Sequence, residues 1–148
     1  MQARLLGIPL VLVCLAAGRQ KPNRDVFAEC EKNAKTQADL NQCASHDDAS
    51  AEDELNRTYQ ELLVRTASDA IAVKKIAAAQ QAWIAFREAQ IAALYPAENK
   101  GEYGTVFPMC VSLLRAEFAQ ERIKVLKGMF KKPFAKDVCA TGYPPSFQ

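Results

Sequence analysis

The chain has 148 residues, with 19 basic against 17 acidic side chains, one histidine and five cysteines. This is one domain's length, and a formal charge of +2 provides no strong field to attract nucleic acid. A single histidine also leaves little material for Ser-His-Asp or Cys-His catalysis, which needs an imidazole base held by a carboxylate.

Residues 1–18, MQARLLGIPLVLVCLAAG, place Arg4 ahead of an apolar run from Leu5 to Leu15, closed by Ala16-Ala17-Gly18. This is the pattern of a secretory signal peptide. The run is shorter than the roughly 20 apolar residues that a membrane-spanning helix needs. Cys14 raises the alternative of a lipoprotein anchor. Val13 stands where lipid-modifying enzymes prefer a small residue, so Cys14 is read as an ordinary apolar member of the signal. Without residues 1–18 the chain keeps 130 residues and a net charge of +1, and is expected to be exported, periplasmic or secreted. Four cysteines remain: Cys30, Cys43, Cys110 and Cys139. An even set in an exported chain suggests two disulfides, with three pairings open. There is no Cys-x-x-Cys pair and only one histidine, so neither a metal site nor a cofactor is expected.

Residues 19–35 are polar and contain Pro22, and are read as a leader or loop. Thr36 with Asp39 three places later resembles a capping box. Leu40, Cys43, Ala51, Leu55, Tyr59 and Leu62 follow at helical spacing. One long helix is expected from about Thr36 to Arg65, although the polar segment SHDDAS at 45–50 could interrupt it. A second helix should begin near Ser68-Asp69 and stop before Pro96, because the residue ahead of a proline avoids helical geometry. Its seam is read as Ile76, Ala79, Trp83 and Phe86, with Ile84, Ile91 and Leu94 beside it. Residues 96–107, PAENKGEYGTVF, read as a loop. Pro108 suits the first turn of a third helix, with Val111, Leu114, Phe118 and Val125 on or near one face and Gly128 at its end. The tail, residues 131–148, holds three prolines and is read as irregular. The expected fold is all-α: a small antiparallel bundle of about three helices over residues 36–130. Trp83 and Phe86 would supply much of the area that an alanine-rich seam lacks.

Three segments carry a resemblance: CEKNAKTQADLNQCA at 30–44, AEDELNRTYQELL at 51–63 and AAAQQAWIAFREAQ at 77–90. In order and spacing they resemble the family typified by the LprI lysozyme inhibitor of bacterial envelopes. Its pattern runs Cys, Asn-x-Cys, acid-x-x-Leu-Asn-x-x-Tyr, then Gln-x-x-Trp-x-x-Phe-Arg. Here these are Cys30, Asn41 and Cys43, then Glu52, Leu55, Asn56 and Tyr59, then Gln80, Trp83, Phe86 and Arg87. Two departures stand out. Gln90 occupies the position where members commonly have a cysteine, so Cys139 is taken to replace it as the partner of Cys110, with Cys30 paired to Cys43 and the tail thereby tethered. Arg115 and Phe118 stand where members often have Thr-x-x-Arg, which leaves that motif unmatched. The resemblance implies an exported helical domain and, beyond that, lysozyme inhibition, a target that members need not all share.

Two sets of residues are singled out. Glu52, Asn56, Gln80, Trp83 and Arg87 are read as a polar and aromatic clamp between helices, in which Arg87 buries its stem and pairs with an acid of the neighbouring helix, Glu52 being the one that the family resemblance implies. Tyr95, Asn99, Lys100 and Tyr103 are read as the partner-binding loop, since long loops on rigid scaffolds carry function. His46 is read as exposed, and the acids at 47–48 and 52–54 splay around a helix instead of flanking a substrate. The expected function is therefore non-enzymatic: an inhibitor occluding a lysozyme-type cleft. Such clefts use carboxylates, which a cation, amide or tyrosine complements. The alternative is a helical envelope module, an immunity or scaffold protein with another partner. Six basic residues from Arg122 onward, against Asp137 alone, are read as a solvated helix end suited to the dipole.

Overall fold

The structure is a computed structural model in which residues 24–130 are described. The signal segment, Cys139 and the tail lie outside the described residues, as does any bridge between Cys110 and Cys139. The described residues form four α-helices: α1 (Arg24–Glu31), α2 (Gln37–Arg65), α3 (Ala70–Leu94) and α4 (Phe107–Met129), with a single 3-10 turn at Lys100–Tyr103. No strand occurs among them.

The helix α1 corrects the reading of residues 19–35 as loop. Its eight residues are too few for an isolated helix to persist in water, so local sequence gave little signal. It is held instead by the Cys30–Cys43 disulfide, whose Cα atoms lie 5.6 Å apart across a separation of 13 residues. Closing a loop of that size is worth about 3 kcal/mol in chain-entropy terms.

The helix α2 runs unbroken through SHDDAS. Thr36 caps it, with its Oγ1 accepting from the Asp39 amide at 3.2 Å while the Asp39 carboxylate accepts from the Thr36 amide at 2.9 Å. Four residues turn the chain into α3, whose first amides, Ile71 and Ala72, are capped by Asp69. Thr66, fully buried in that turn, donates its hydroxyl to the Leu62 carbonyl at 2.9 Å.

The tightest packing joins α2 to α4, the first and third of the helices expected from sequence, and not α2 to α3. Gln37 reaches Met109 near one end and Lys127 reaches Glu54 further along, so these two helices run parallel. Between them α3 runs the opposite way, with Gln80 meeting Arg122 and Glu88 meeting Arg115. The α2 stripe is Ala44, Asp47, Ala51, Leu55, Thr58 and Leu62, and the α4 stripe is Ala116, Ala119, Ile123 and Leu126. Spacings of three and four are those of a coiled-coil seam. The alanines at one end let the backbones approach, and the leucines and isoleucine fill the other end.

The face of α4 is thus rotated from the expected one. Val111, Leu114 and Phe118 are only half-buried and Val125 is exposed. The seam of α3 is likewise corrected to Ala72, Ile76, Gln80, Arg87 and Ile91. Ala79 and Phe86 face solvent, while Trp83 is half-buried against the core. With most of the apolar stripes of α2 and α4 spent on each other, the groove between them also presents charge to α3, and Gln80 and Arg87 take inward positions beside Ala72, Ile76 and Ile91.

Ala119→Leu should cost about 1–3 kcal/mol by forcing α2 and α4 apart, whereas Ala79→Leu on the exposed face of α3 should fall within about 0.5 kcal/mol of wild type. Chemical denaturation of the two variants checks the contrast.

Candidate functional site

Arg87 lies at the centre of a charged chain across three helices. Its position on the inward stripe of α3 leaves it 9% exposed. One Nη donates to Glu52 of α2, and Nε donates to Glu88 of its own helix at 3.0 Å. Glu88 in turn accepts from Arg115 of α4 at 2.8 Å. Hydrogen bonding to Arg115 holds the Glu88 carboxyl below the usual carboxylate range. The same bond holds the Arg115 guanidinium more firmly protonated. Asp48, one turn before Glu52, is pushed the other way, first by burial and then by Glu52.

Trp83 joins this chain through its ring. The Arg87 guanidinium carbon lies 4.9 Å from the ring centroid and that of Arg122 lies 5.7 Å away, within cation–π range. Arg122 also donates to Gln80 at 3.0 Å. Burial lowers the hold of Arg122 on its proton. Of the five residues read as a clamp, the structure brings together Glu52, Gln80, Trp83 and Arg87. Asn56 is exposed and has no place in the network.

Glu88, Arg115 and Arg122 were not singled out from sequence. A signal for the arginines was present: Gln80 and Arg87 are seven apart on α3, as Arg115 and Arg122 are on α4, which matches two antiparallel helices in register. The basic end of α4 is also more engaged than a solvated terminus, since Lys124 pairs with Glu121 and Lys127 with Glu54. Lys131, Lys132 and Lys136 lie outside the described residues.

The second assembly is the connection from α3 to α4. The rings of Tyr95, Tyr103 and Phe107 meet with centroids 5.1–5.3 Å apart. The Tyr103 hydroxyl accepts from the Ala97 amide at 2.7 Å. The Lys100 ammonium donates to the carbonyls of Tyr95 and Ala97 at 2.6 and 2.7 Å, and the Asn99 side chain accepts from the Gly101 amide at 3.0 Å. Gly104 has φ +70°, a conformation that a side chain would strain. Asn41 of α2 donates to the Thr105 carbonyl at 3.0 Å, pinning the loop to the bundle. All four residues read as partner-binding therefore meet in one folded knot, with Asn99 and Lys100 exposed and the two tyrosines half-buried. Burial, and then the neighbouring Cys110 thiol, push the Tyr95 hydroxyl up.

His46 is exposed, and among the described residues no group of three His, Cys, Asp or Glu side chains could hold a metal ion. No described helix is long and apolar enough to cross a membrane.

Arg87→Ala should cost about 2–3 kcal/mol, below the range for a fully buried pair because the Glu52 carboxylate is a third exposed. Asn56→Ala should change stability by less than about 0.5 kcal/mol. A depressed acid stabilises the fold above its unfolded titration range and loses that contribution as pH falls. Thermal melts should therefore show Glu88→Gln destabilised at neutral pH, with the deficit shrinking at pH values below the usual carboxylate range.

A profile of the family described as Lysozyme inhibitor LprI matches residues 29–126. The chain is also 36% identical over 143 residues to an uncharacterised protein of Rhizobium meliloti (strain 1021), covering 88% of this chain and 97% of that protein. No solved structure matches it.

Proposed function

From the premise that this chain belongs to the LprI lysozyme inhibitor family, we propose that it is an exported, non-enzymatic protein that inhibits a lysozyme-type muramidase by occluding its cleft. The observation that carries this reading is the pre-folded loop between α3 and α4, in a chain whose family match spans the loop and the helices on either side.

An inhibitor that enters a cleft gains when its contact segment is already ordered, because little conformational entropy is lost on binding. The three-ring knot, the Lys100 and Asn99 bonds and the Asn41 anchor provide that order. The exposed Lys100 ammonium offers a cation to a cleft built around carboxylates. The charged chain centred on the buried Arg87 acts in this reading as scaffold: its carboxylates Glu52 and Glu88 are engaged by guanidinium groups. An apolar run at residues 5–15 with Ala16-Ala17-Gly18 behind it supports export.

A turbidity assay with the purified protein and several lysozyme types tests the proposal. Near-stoichiometric inhibition of at least one type is expected, and inertness toward all of them would favour an immunity or scaffold module with another partner. Lys100→Glu should weaken any inhibition by about ten-fold or more, as expected when a charge pair in a contact is reversed. Its thermal midpoint should stay within a few degrees, because exposed bonds of this kind contribute little.

A further inference from the structure

A groove of about 370 Å³ lies where α1 crosses the junction of α2 and α4. Phe27 lines it from α1, Asp47 from α2, and Leu113, Ala116, Gln120 and Glu121 from α4. Asp47 occupies a core position on the α2 stripe and is 6% exposed, yet its Oδ1 accepts no hydrogen bond among the described residues. Gln120 has the opposite deficit, since its Nε2 is buried and donates to nothing among them. A buried polar atom without a partner costs about 1–3 kcal/mol, and two of opposite character on residues that line one groove describe a ligand that brings both a donor and an acceptor.

Charge narrows the class of ligand. Glu121 joins Asp47 on the lining, and Lys124, the cation that lines it among the described residues, is engaged by Glu121 at 2.5 Å, which leaves Asp47 as the charge to be matched. The rest of the surface is apolar: Phe27, Leu113 and Ala116. An extended basic residue matches each part. Its cationic head pairs with Asp47, its methylene stem lies along the apolar wall, and its own backbone carbonyl accepts from Gln120. Arginine fits better than lysine, because its planar fork meets a carboxylate with two donors.

We propose that this groove is a recognition pocket for an arginine-bearing segment of a partner protein. The proposal deepens the reading of the chain as a protein-binding inhibitor and rests on it for the partner's class. The pocket is formed by α1, α2 and α4, and so is separate from the loop between α3 and α4. A buried carboxylate without a hydrogen-bond partner for its Oδ1 lowers stability at a seam position, a cost that a group serving binding can carry.

The test is a two-dimensional amide NMR titration of the purified protein with acetylated, amidated Gly-Arg-Gly, with Gly-Glu-Gly and a chito-oligosaccharide as comparison ligands. The arginine peptide should give saturable shifts at the Gln120 side-chain amide and at the backbone amides of Phe27 and Ala116, and the glutamate peptide should give none. Asp47→Asn keeps the shape and removes the charge. It should weaken the peptide by about ten-fold or more while leaving the thermal midpoint equal or higher. If that variant fails to fold, Gln120→Lys serves instead, since its own ammonium beside Asp47 should abolish peptide binding. The proposal is overturned if these resonances ignore the arginine peptide, if Asp47→Asn binds it equally well, or if they respond to the saccharide alone. A protein that inhibits a lysozyme but ignores the arginine peptide overturns the pocket and leaves the inhibitor reading standing. One that binds the peptide yet inhibits no lysozyme supports the pocket and removes the muramidase as its partner.

Discussion

The close approach of α2 and α4 governs this molecule. Ala44 and Ala51 on one helix, and Ala116 and Ala119 on the other, are almost completely buried. Side chains this small let parallel helix backbones come near enough for Leu55, Leu62, Ile123 and Leu126 to close the far end of the seam. Once those stripes are matched, α3 has only the outside of the pair to lie against. It does so through Gln80, Trp83 and Arg87 beside the apolar Ile76, and the charges that these three meet, Glu52 and Arg122, stand on the margins of the seam. The charged chain around the buried Arg87 is thus a consequence of where the apolar area was used. Breaking it leaves uncompensated charge near the core.

This hierarchy explains what could be read from the sequence. Periodicity and caps located the three long helices well, because Thr36, Asp69, Pro96 and Pro108 are local signals that act without tertiary help. The interior faces were harder. Phe86 and Val125 look like core residues on any hydropathy scale, yet both are more than half exposed, while Arg87 and Gln80 hold buried positions. Hydrophobic pattern assumes that each helix meets an apolar neighbour, and α3 meets one that is apolar beside Ile76 but charged beside Gln80 and Arg87. The α1 helix was missed because its stability comes from a covalent bond to α2 and not from its eight residues. An acid partner for Arg87 from the neighbouring helix was legible from its place beside Trp83, and the family resemblance pointed to Glu52. The continuation of that chain through Glu88 to Arg115 needed the register of α3 against α4.

The two regions with a bearing on recognition differ in construction. The loop between α3 and α4 is polar in sequence and compact in space: Tyr103, flanked by Glu102 and Gly104, looks free in the sequence but is held by a hydrogen bond and two neighbouring rings. Its rigidity is internal. The groove beside Asp47 is shaped by three separate helices and leaves polar atoms unmatched. One region satisfies its own groups and presents a fixed outline, and the other awaits groups from elsewhere.

The parallel pairing of α2 with α4 has a kinetic side. The contact between Gln37 and Met109 spans 72 residues, and that between Glu54 and Lys127 spans 73. For a helical protein this is a distant pairing, and distant pairings form late because loop closure must precede the contacts that reward it. On a growing chain, the leucines of α2 lack most of their partners, Ile76 of α3 apart, until α4 has left the ribosome. The small apolar stripe of α2 must wait through the synthesis of all of α3, with alanine, aspartate and threonine among its members keeping it less adhesive than a leucine zipper. A core that assembles only when its last helix arrives keeps the nascent chain open for longer, which would suit the proposed export, since a chain that crosses a membrane pore does so before it folds.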